Sequence, residues 1–155
     1  MEKPFQIVTY SPRYQEAFIR LNTEWIKKYF ELEESDFKVF EHPEQIVEKG
    51  GQIFFALTDS GIAVGCCALV RHADNHTYEL AKMAVSPQYR GYRIGTALGH
   101  ALMNYAKQKG IKSIFLEGNT RLKASIALYR RLGFQEIPLT AHAYKRCDIL
   151  MKAQL

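Results

Sequence analysis

Arg90, Gly91, Arg93 and Gly95 place two guanidinium groups beside two positions that carry no side chain. They lie in the run Ser86-Pro87-Gln88-Tyr89-Arg90-Gly91-Tyr92-Arg93-Ile94-Gly95-Thr96-Ala97. An apolar stretch, Tyr78 to Val85, precedes this run. After it Ile94, Ala97, Leu98, Ala101, Leu102, Tyr105 and Ala106 recur at helical spacing. The order predicted is strand, basic glycine-containing loop, helix. Such a junction leaves the first-turn amides without intrahelical acceptors and puts the positive end of the helix dipole at the same spot. A phosphate group fits there, and the arginines strengthen the attraction. The first hypothesis is therefore a diphosphate-bearing ligand. Two familiar nucleotide loops are excluded by inspection, since the chain has neither G-x-x-x-x-G-K-[ST] nor G-x-G-x-x-G.

The segment Arg90-Gly91-Tyr92-Arg93-Ile94-Gly95 resembles the acyl-CoA loop of the GNAT superfamily of N-acetyltransferases, whose pattern runs Q/R-x-x-G-x-G/A. Arg90 takes the first position and Gly95 the last, while Arg93 replaces the middle glycine. We read Arg93 as holding an ordinary backbone conformation and adding a side chain that pairs with phosphate. Tyr78 to Val85 is similar to the family's central strand, and Ala127-Leu128-Tyr129-Arg130-Arg131-Leu132-Gly133-Phe134 to its late helix and Leu-Gly-Phe element. The likeness covers roughly residues 53 to 136. It implies an α/β fold with a mixed, mostly antiparallel sheet flanked by helices and a splayed parallel strand pair. It also implies acetyl-CoA as co-substrate and no metal. The implied reaction is direct transfer of the acetyl group, in a ternary complex, to a primary amine of a small molecule or protein. A noncatalytic CoA-binding regulatory module is the alternative.

Residue by residue, the resemblance gives a cofactor set of Met83, Ala84, Val85, Arg90, Gly91, Tyr92, Arg93, Ile94, Gly95 and Thr96, with Asn119 and Tyr129 beyond the loop. The backbone N–H groups of Met83 to Val85 are the candidate donors to the thioester oxygen. Glu79, on the strand before the loop, is the candidate general base, with Asp148 as second choice. Tyr129 is the candidate acid for the departing sulfur. Many relatives have an Asn where this chain has Leu122, while Ser125 supplies the small residue expected three positions later. Asn119 either substitutes for that contact or caps the helix that follows. The acceptor is expected between the N-terminal helices and the last strand, against Trp25, Tyr29, Phe30, Glu33, Tyr144 and Arg146. The segment Glu31 to Asp36 is acidic against the overall charge, and its Glu33–Asp36 part can attract a cationic acceptor.

Several elements must position these groups. Ser11-Pro12 opens a helix whose stripe is Phe18, Leu21, Trp25 and Tyr29, and residues 43 to 49 suit a short second one. Strands are predicted at Ile53 to Thr58, Ile62 to Val70 and Thr77 to Val85, joined by turns at Asp59-Ser60-Gly61 and Asp74-Asn75. The helix from Ile94 stops at Gly110, and a strand over Ile111 to Glu117 lies parallel to its predecessor. A helix over Leu122 to Leu132 follows, then a strand over Tyr144 to Lys152 with Cys147, Ile149 and Met151 on one face.

Composition bounds the rest. The 155 residues make one expected domain, 1–155, with 47% hydrophobic and 24% charged residues. No run approaches the ~20 apolar residues of a membrane span, and the opening Met1-Glu2-Lys3-Pro4-Phe5 has no signal-peptide pattern. A cytoplasmic location is expected. Cys66 and Cys67 are adjacent and should face opposite sides of a strand, and no C-x-x-C pair supports zinc or redox chemistry. The five histidines, His42, His72, His76, His100 and His142, are dispersed and read as surface or structural groups. A formal charge of +5 suits an anionic co-substrate, but the cations are spread along the chain and no base-stacking motif accompanies them, which makes nucleic acid an unlikely partner. A homodimer is plausible by analogy with relatives.

Overall fold

The computed structural model describes residues 5–74 and 76–155. Strand β1 (Phe5–Thr9) leads through a 3-10 turn at Pro12–Tyr14 into helix α1 (Gln15–Tyr29), followed by α2 (Glu34–Glu41) and α3 (Glu44–Glu48). Then come β2 (Gln52–Thr58), β3 (Ala63–Arg71) and β4 (Tyr78–Val85). Helix α4 (Ile94–Gln108) precedes β5 (Ser113–Gly118), and α5 (Lys123–Arg131) precedes β6 (Gln135–Ile137) and β7 (Ile149–Gln154). The strands form one sheet in the order β1-β2-β3-β4-β5-β7-β6. Every pairing is antiparallel except β4 with β5, the pair joined by the α4 crossover.

Alternation along the strands splits the core. In β2, Phe54 and Ala56 face α4 with Leu98, Leu102 and Ile114, whereas Ile53, Phe55 and Leu57 face α1 with Phe18 and Leu21. Cys66 and Cys67 point to opposite cores, as adjacent strand residues must, and both are free thiols. Gly99 of α4 leaves room for Leu132, the residue that follows α5: a Cβ there would lie 2.5 Å from Leu132 Cδ1. Among the described residues no helix is long and apolar enough to cross a membrane.

Four elements differ from the sequence reading. Strands β1 and β6 were not anticipated, and α2 occupies part of the segment read as acidic. The last strand begins at Ile149, not Tyr144. Before it the chain turns, with the Cys147 amide donating to the Tyr144 carbonyl at 3.1 Å. Asp148 is spent on the Thr120 amide and hydroxyl, at 2.8 and 2.7 Å, which removes it as a candidate base. Ser11 precedes the 3-10 turn but its hydroxyl makes no cap bond.

Candidate active site

The loop between β4 and α4 turns through two left-handed residues, Gly91 at φ 85° and Arg93 at φ 60°, ψ 30°. The expectation of an ordinary backbone at Arg93 is therefore corrected. The tight approach to α4 imposes glycine-like geometry, which costs a residue with a side chain about 1–2 kcal/mol. No side chain caps α4, and its first bond runs from the Ala97 amide to the Arg93 carbonyl at 3.1 Å. The amides of Ile94, Gly95 and Thr96 thus have no intrahelical acceptor.

These residues line a cleft of about 410 Å³, together with Met83, Ala84, Val85, Arg90, Gly91 and Arg93. Arg121, Lys123 and Arg131 add three cations from the β5–α5 connection and α5, and Ser125 lies among them. Five basic side chains and a turn of open amides fit a diphosphate, and Met83, Val85 and Leu128 give the cleft apolar wall for a less polar arm. Tyr92 is the exception to the expected set. Its ring packs 5.9 Å from Phe5 and 6.1 Å from Tyr89, and it is not part of the cleft wall. Arg90 lies over the rings of Trp25 and Tyr29, at 5.4 and 5.6 Å, and donates to the Tyr29 hydroxyl. Tyr29 therefore stands at the mouth of the basic cleft, while Trp25 borders this cleft and the cavity behind it.

That cavity, of about 110 Å³, opens where β4 and β5 part. Their register runs through Glu79 and Phe115 alone, so the backbone beyond Glu79 is released from β5. A bulge in β4 shapes the wall: the strand advances by three positions from Ala81 to Ala84 where β3 advances by two, from Cys66 to Ala68. The extra residue is Lys82, in the left-handed region at φ 55°. It reverses the alternation, so that Leu80 faces α4 but Ala84 faces α1.

Four charged groups follow from the bulge. Lys82 Nζ donates to Asp36 and, at 2.9 Å, to the Tyr144 hydroxyl. Arg146 donates to both Asp36 oxygens at 2.8 Å and to Glu33 at 3.4 Å. Asp36 is 0% exposed, and burial alone would raise its carboxyl, but the bonds from Arg146 and Lys82 outweigh that and hold the pKa at about 2. Burial pulls Lys82 down against the opposing pull of Asp36, and pushes Tyr144 up. Glu33 accepts from the amides of Lys145 and Arg146 and forms a capping box with Asp36 at the start of α2. Its carboxylate is thereby committed to fixing the 145–146 backbone, and Tyr144 and Arg146 line the cavity.

Glu79 is 7% exposed and lines the cavity. Burial raises its pKa, opposed by a 2.9 Å bond to His72 Nε2. His72, read as a surface or structural group, is thus a neighbour of the candidate base. Tyr129 also lines the cavity, held edge-on 6.2 Å from Phe134. Burial, then Cys67, pushes its phenol up to about 12. Its hydroxyl has no hydrogen-bond partner among the described residues and is free to donate into the cavity. Asn119 neither caps α5 nor reaches the basic cleft. Its amide accepts from the Arg121 amide at 2.9 Å and donates to the Arg146 carbonyl at 2.7 Å, beside the cavity. His142 also departs from expectation, since it gathers with Glu117 and Cys147 within 4.8 Å. Glu117 is occupied by the Ala143 and Tyr144 amides, and His142 Nδ1 lies 2.8 Å from the Tyr144 carbonyl.

Sequence reasoning missed the burial and partners of Asp36, Lys82 as a wall residue, His72, Arg121, Lys123 and Arg131. The signals available were basic composition around the late helix, for the last three, and the acidic run that enters α2, for Asp36.

Comparison with known proteins agrees with this geometry. The family model described as acetyltransferase (GNAT) family matches residues 18–134. The uncharacterized N-acetyltransferase YjgM of Escherichia coli is 30% identical over 115 residues, covering 72% of this chain and 69% of that protein. N-acetylaspartate synthetase of Mus musculus is 32% identical over 93 residues, 59% of this chain but only 31% of that enzyme's length. A GNAT acetyltransferase from Staphylococcus aureus Mu50 has the same fold, with TM-score 0.85 at 24% identity over 97% of this chain and 98% of that one. The PaiA N-acetyltransferase of Thermoplasma acidophilum, solved with coenzyme A, superposes with TM-score 0.77 at 19% identity over 99% of this chain and 100% of that one. With the strand, basic loop and late helix all falling inside the matched span, the chain belongs to the acetyltransferase (GNAT) family.

Proposed function

We propose that this chain is an acetyl-CoA-dependent N-acetyltransferase that acts on a primary amine by direct attack in a ternary complex. The observation that carries this reading is continuity. The open amides of α4, the gap between β4 and β5, and the cavity holding Glu79 and Tyr129 share Met83 and Ser125 as common wall. Acetyl-CoA supplies an activated acetyl thioester. Arg90, Arg93, Arg121, Lys123 and Arg131 would hold its phosphates with the amides of Ile94 to Thr96. The Met83 to Val85 backbone would lie along its arm.

The chemistry asks for two proton movements. A lysine-like amine, with a pKa of about 10.4, is almost wholly protonated at neutral pH and cannot attack until it loses a proton. Glu79 faces the cavity and takes that proton directly or through water. Its elevated pKa brings it closer to the working pH, where a base is most effective. Tyr129 stays protonated well above neutral, donates to the departing sulfur and is restored by the second proton that the acetylated nitrogen loses. Lys82 and Arg146 carry no proton in this scheme, since both are committed to Asp36. They fix the wall against which the acceptor rests.

The first test is thiol release from acetyl-CoA with a panel of polyamines, amino acids, aminoglycosides and lysine peptides. Acceptor-dependent release supports the enzyme and names the acceptor class. CoA binding by calorimetry, together with no release from a panel extended to protein N-termini, would favour the regulatory module.

A further inference from the structure

Acetylation of a primary ammonium leaves a proton to dispose of. The ammonium has three N–H bonds, the amide keeps one and the thiol takes one. The last must reach water in every turnover. Glu79 is 7% exposed when it receives it, so the carboxyl needs a partner that touches both it and solvent. Among the described residues His72 is such a side chain. His72 follows the end of β3, where its amide donates to the Thr77 carbonyl at 2.8 Å. Its Nε2 lies 2.9 Å from Glu79 Oε1, its ring rests on Phe115 at 5.3 Å, and its side chain is 40% exposed. Its Nδ1 makes no hydrogen bond among the described residues. Phe115 is the β5 residue in register with Glu79, so the parallel pair itself fixes the imidazole against the carboxyl.

We propose that His72 is the positioning residue of this site: its Nε2, bare in the Nδ1–H tautomer, takes the proton that Glu79 receives from the acceptor, and the ring passes it to bulk water. This rests on the assignment of Glu79 as base. The step balances without any oxidant or reductant. One N–H bond of the ammonium breaks and an O–H bond forms on Glu79. That proton moves to Nε2 of neutral His72, and the imidazolium gives its Nδ1 proton to water. Glu79 is again a carboxylate, and the neutral ring recovers its starting tautomer by exchange with solvent.

The surrounding charge favours an imidazolium intermediate. Glu79, Asp74 and Glu117 all raise the His72 pKa, with the Glu79 bond the largest cause, and burial opposes them. Glu117 raises and Lys82 lowers Glu79 in turn. Asp74 stays ionised beside the pair, tied to the His76 and Thr77 amides and the Thr77 hydroxyl. A neutral amide at position 72 can keep the bond to Glu79 but cannot carry its proton.

The test compares His72→Gln, His72→Ala and Glu79→Gln, using the amine that releases thiol fastest in the panel. His72→Gln should lower kcat about tenfold, move the acidic limb of the pH profile upward, and leave CoA affinity by calorimetry unchanged. Added imidazole should restore His72→Ala in proportion to its concentration. Independently of turnover, the His72 ring 15N resonances of the wild type should titrate above the ordinary histidine value and fall back in Glu79→Gln. A His72→Gln enzyme with unchanged kcat and acidic limb, or an unshifted ring titration, overturns the proposal. If Glu79→Gln itself keeps full activity, the assignment of the base has failed, and that outcome is separate.

Discussion

Replacing Asp36 by Asn removes one charge and keeps the shape of the side chain. The wild-type carboxylate is fully buried and binds Arg146 through two oxygens at 2.8 Å, while also accepting from Lys82. The side chain of Lys82 is 4% exposed and that of Arg146 18%, so neither cation can recover its hydration without movement. Removing one partner of such a cluster costs about 3–5 kcal/mol, because a buried charge is left uncompensated. For a chain of this size each kcal/mol shifts Tm by about 2–4 °C, which gives a fall of roughly 6–20 °C. Thermal melts by circular dichroism at neutral pH measure it. Adding Lys82→Met should recover part of the loss, since it removes a stranded cation. A fall of less than ~2 °C, with no recovery in the double variant, would refute the claim that burial makes this cluster matter. The pH dependence has a definite sign. A folded-state pKa of about 2, against 3.8 for the free side chain, contributes about 2 kcal/mol that is present above pH 4 and is lost as pH falls through 2.

Arg93→Gly should move stability and affinity in opposite directions. Relief of the left-handed backbone outweighs the added chain entropy and raises Tm by about 1–4 °C, while calorimetry should find CoA bound about tenfold more weakly. Gly95→Glu should abolish CoA binding in a folded variant, since its new Cβ lies 3.2 Å from Leu128 and its charge enters the basic cleft. Unchanged affinity would show that the ligand lies elsewhere. Tyr129→Phe should cost tenfold or more in kcat with little change in CoA affinity, and the wild-type profile should show no loss from phenol ionisation below about pH 10. Equal losses in both would mark a tyrosine needed only for packing.

The β4–α4 half of the cleft was legible in the sequence because its parts are local, whereas Arg121, Lys123 and Arg131 reach it only through the fold. Ile94 begins α4 as the spacing indicates, and the two glycines and two arginines fall within six residues of one another. The acceptor cavity was less legible because its walls are assembled by an irregularity. A strand read from Tyr78 to Val85 predicts strict alternation, and one extra residue at Lys82 reverses it. Nothing marks that point, because a lysine takes the backbone geometry usually given to glycine. In the sequence Asp36 is one of four acidic residues in a run suited to attract a cationic acceptor, yet it alone is fully buried, since only the fold delivers Arg146 and Lys82 to it. The alternation of Cys147, Ile149 and Met151 runs past the true strand boundary because the turn before it, closed by the Cys147 amide on the Tyr144 carbonyl, is held by Glu33 bonding to the Lys145 and Arg146 amides, a contact with no local signature. Strand β1 has five residues and pairs as an edge with β2, too short a pattern to separate from loop.

The register of the parallel pair has a mechanical meaning. Four strands on one side and three on the other are pinned at Glu79 and Phe115, so the sheet is two stiff plates sharing one rivet. Anything that lies in the gap and bonds to both edges acts as a missing strand. Filling it welds the plates together, and the amide protons of β4 and β5, which should exchange as two independent populations in the free protein, should then slow as one.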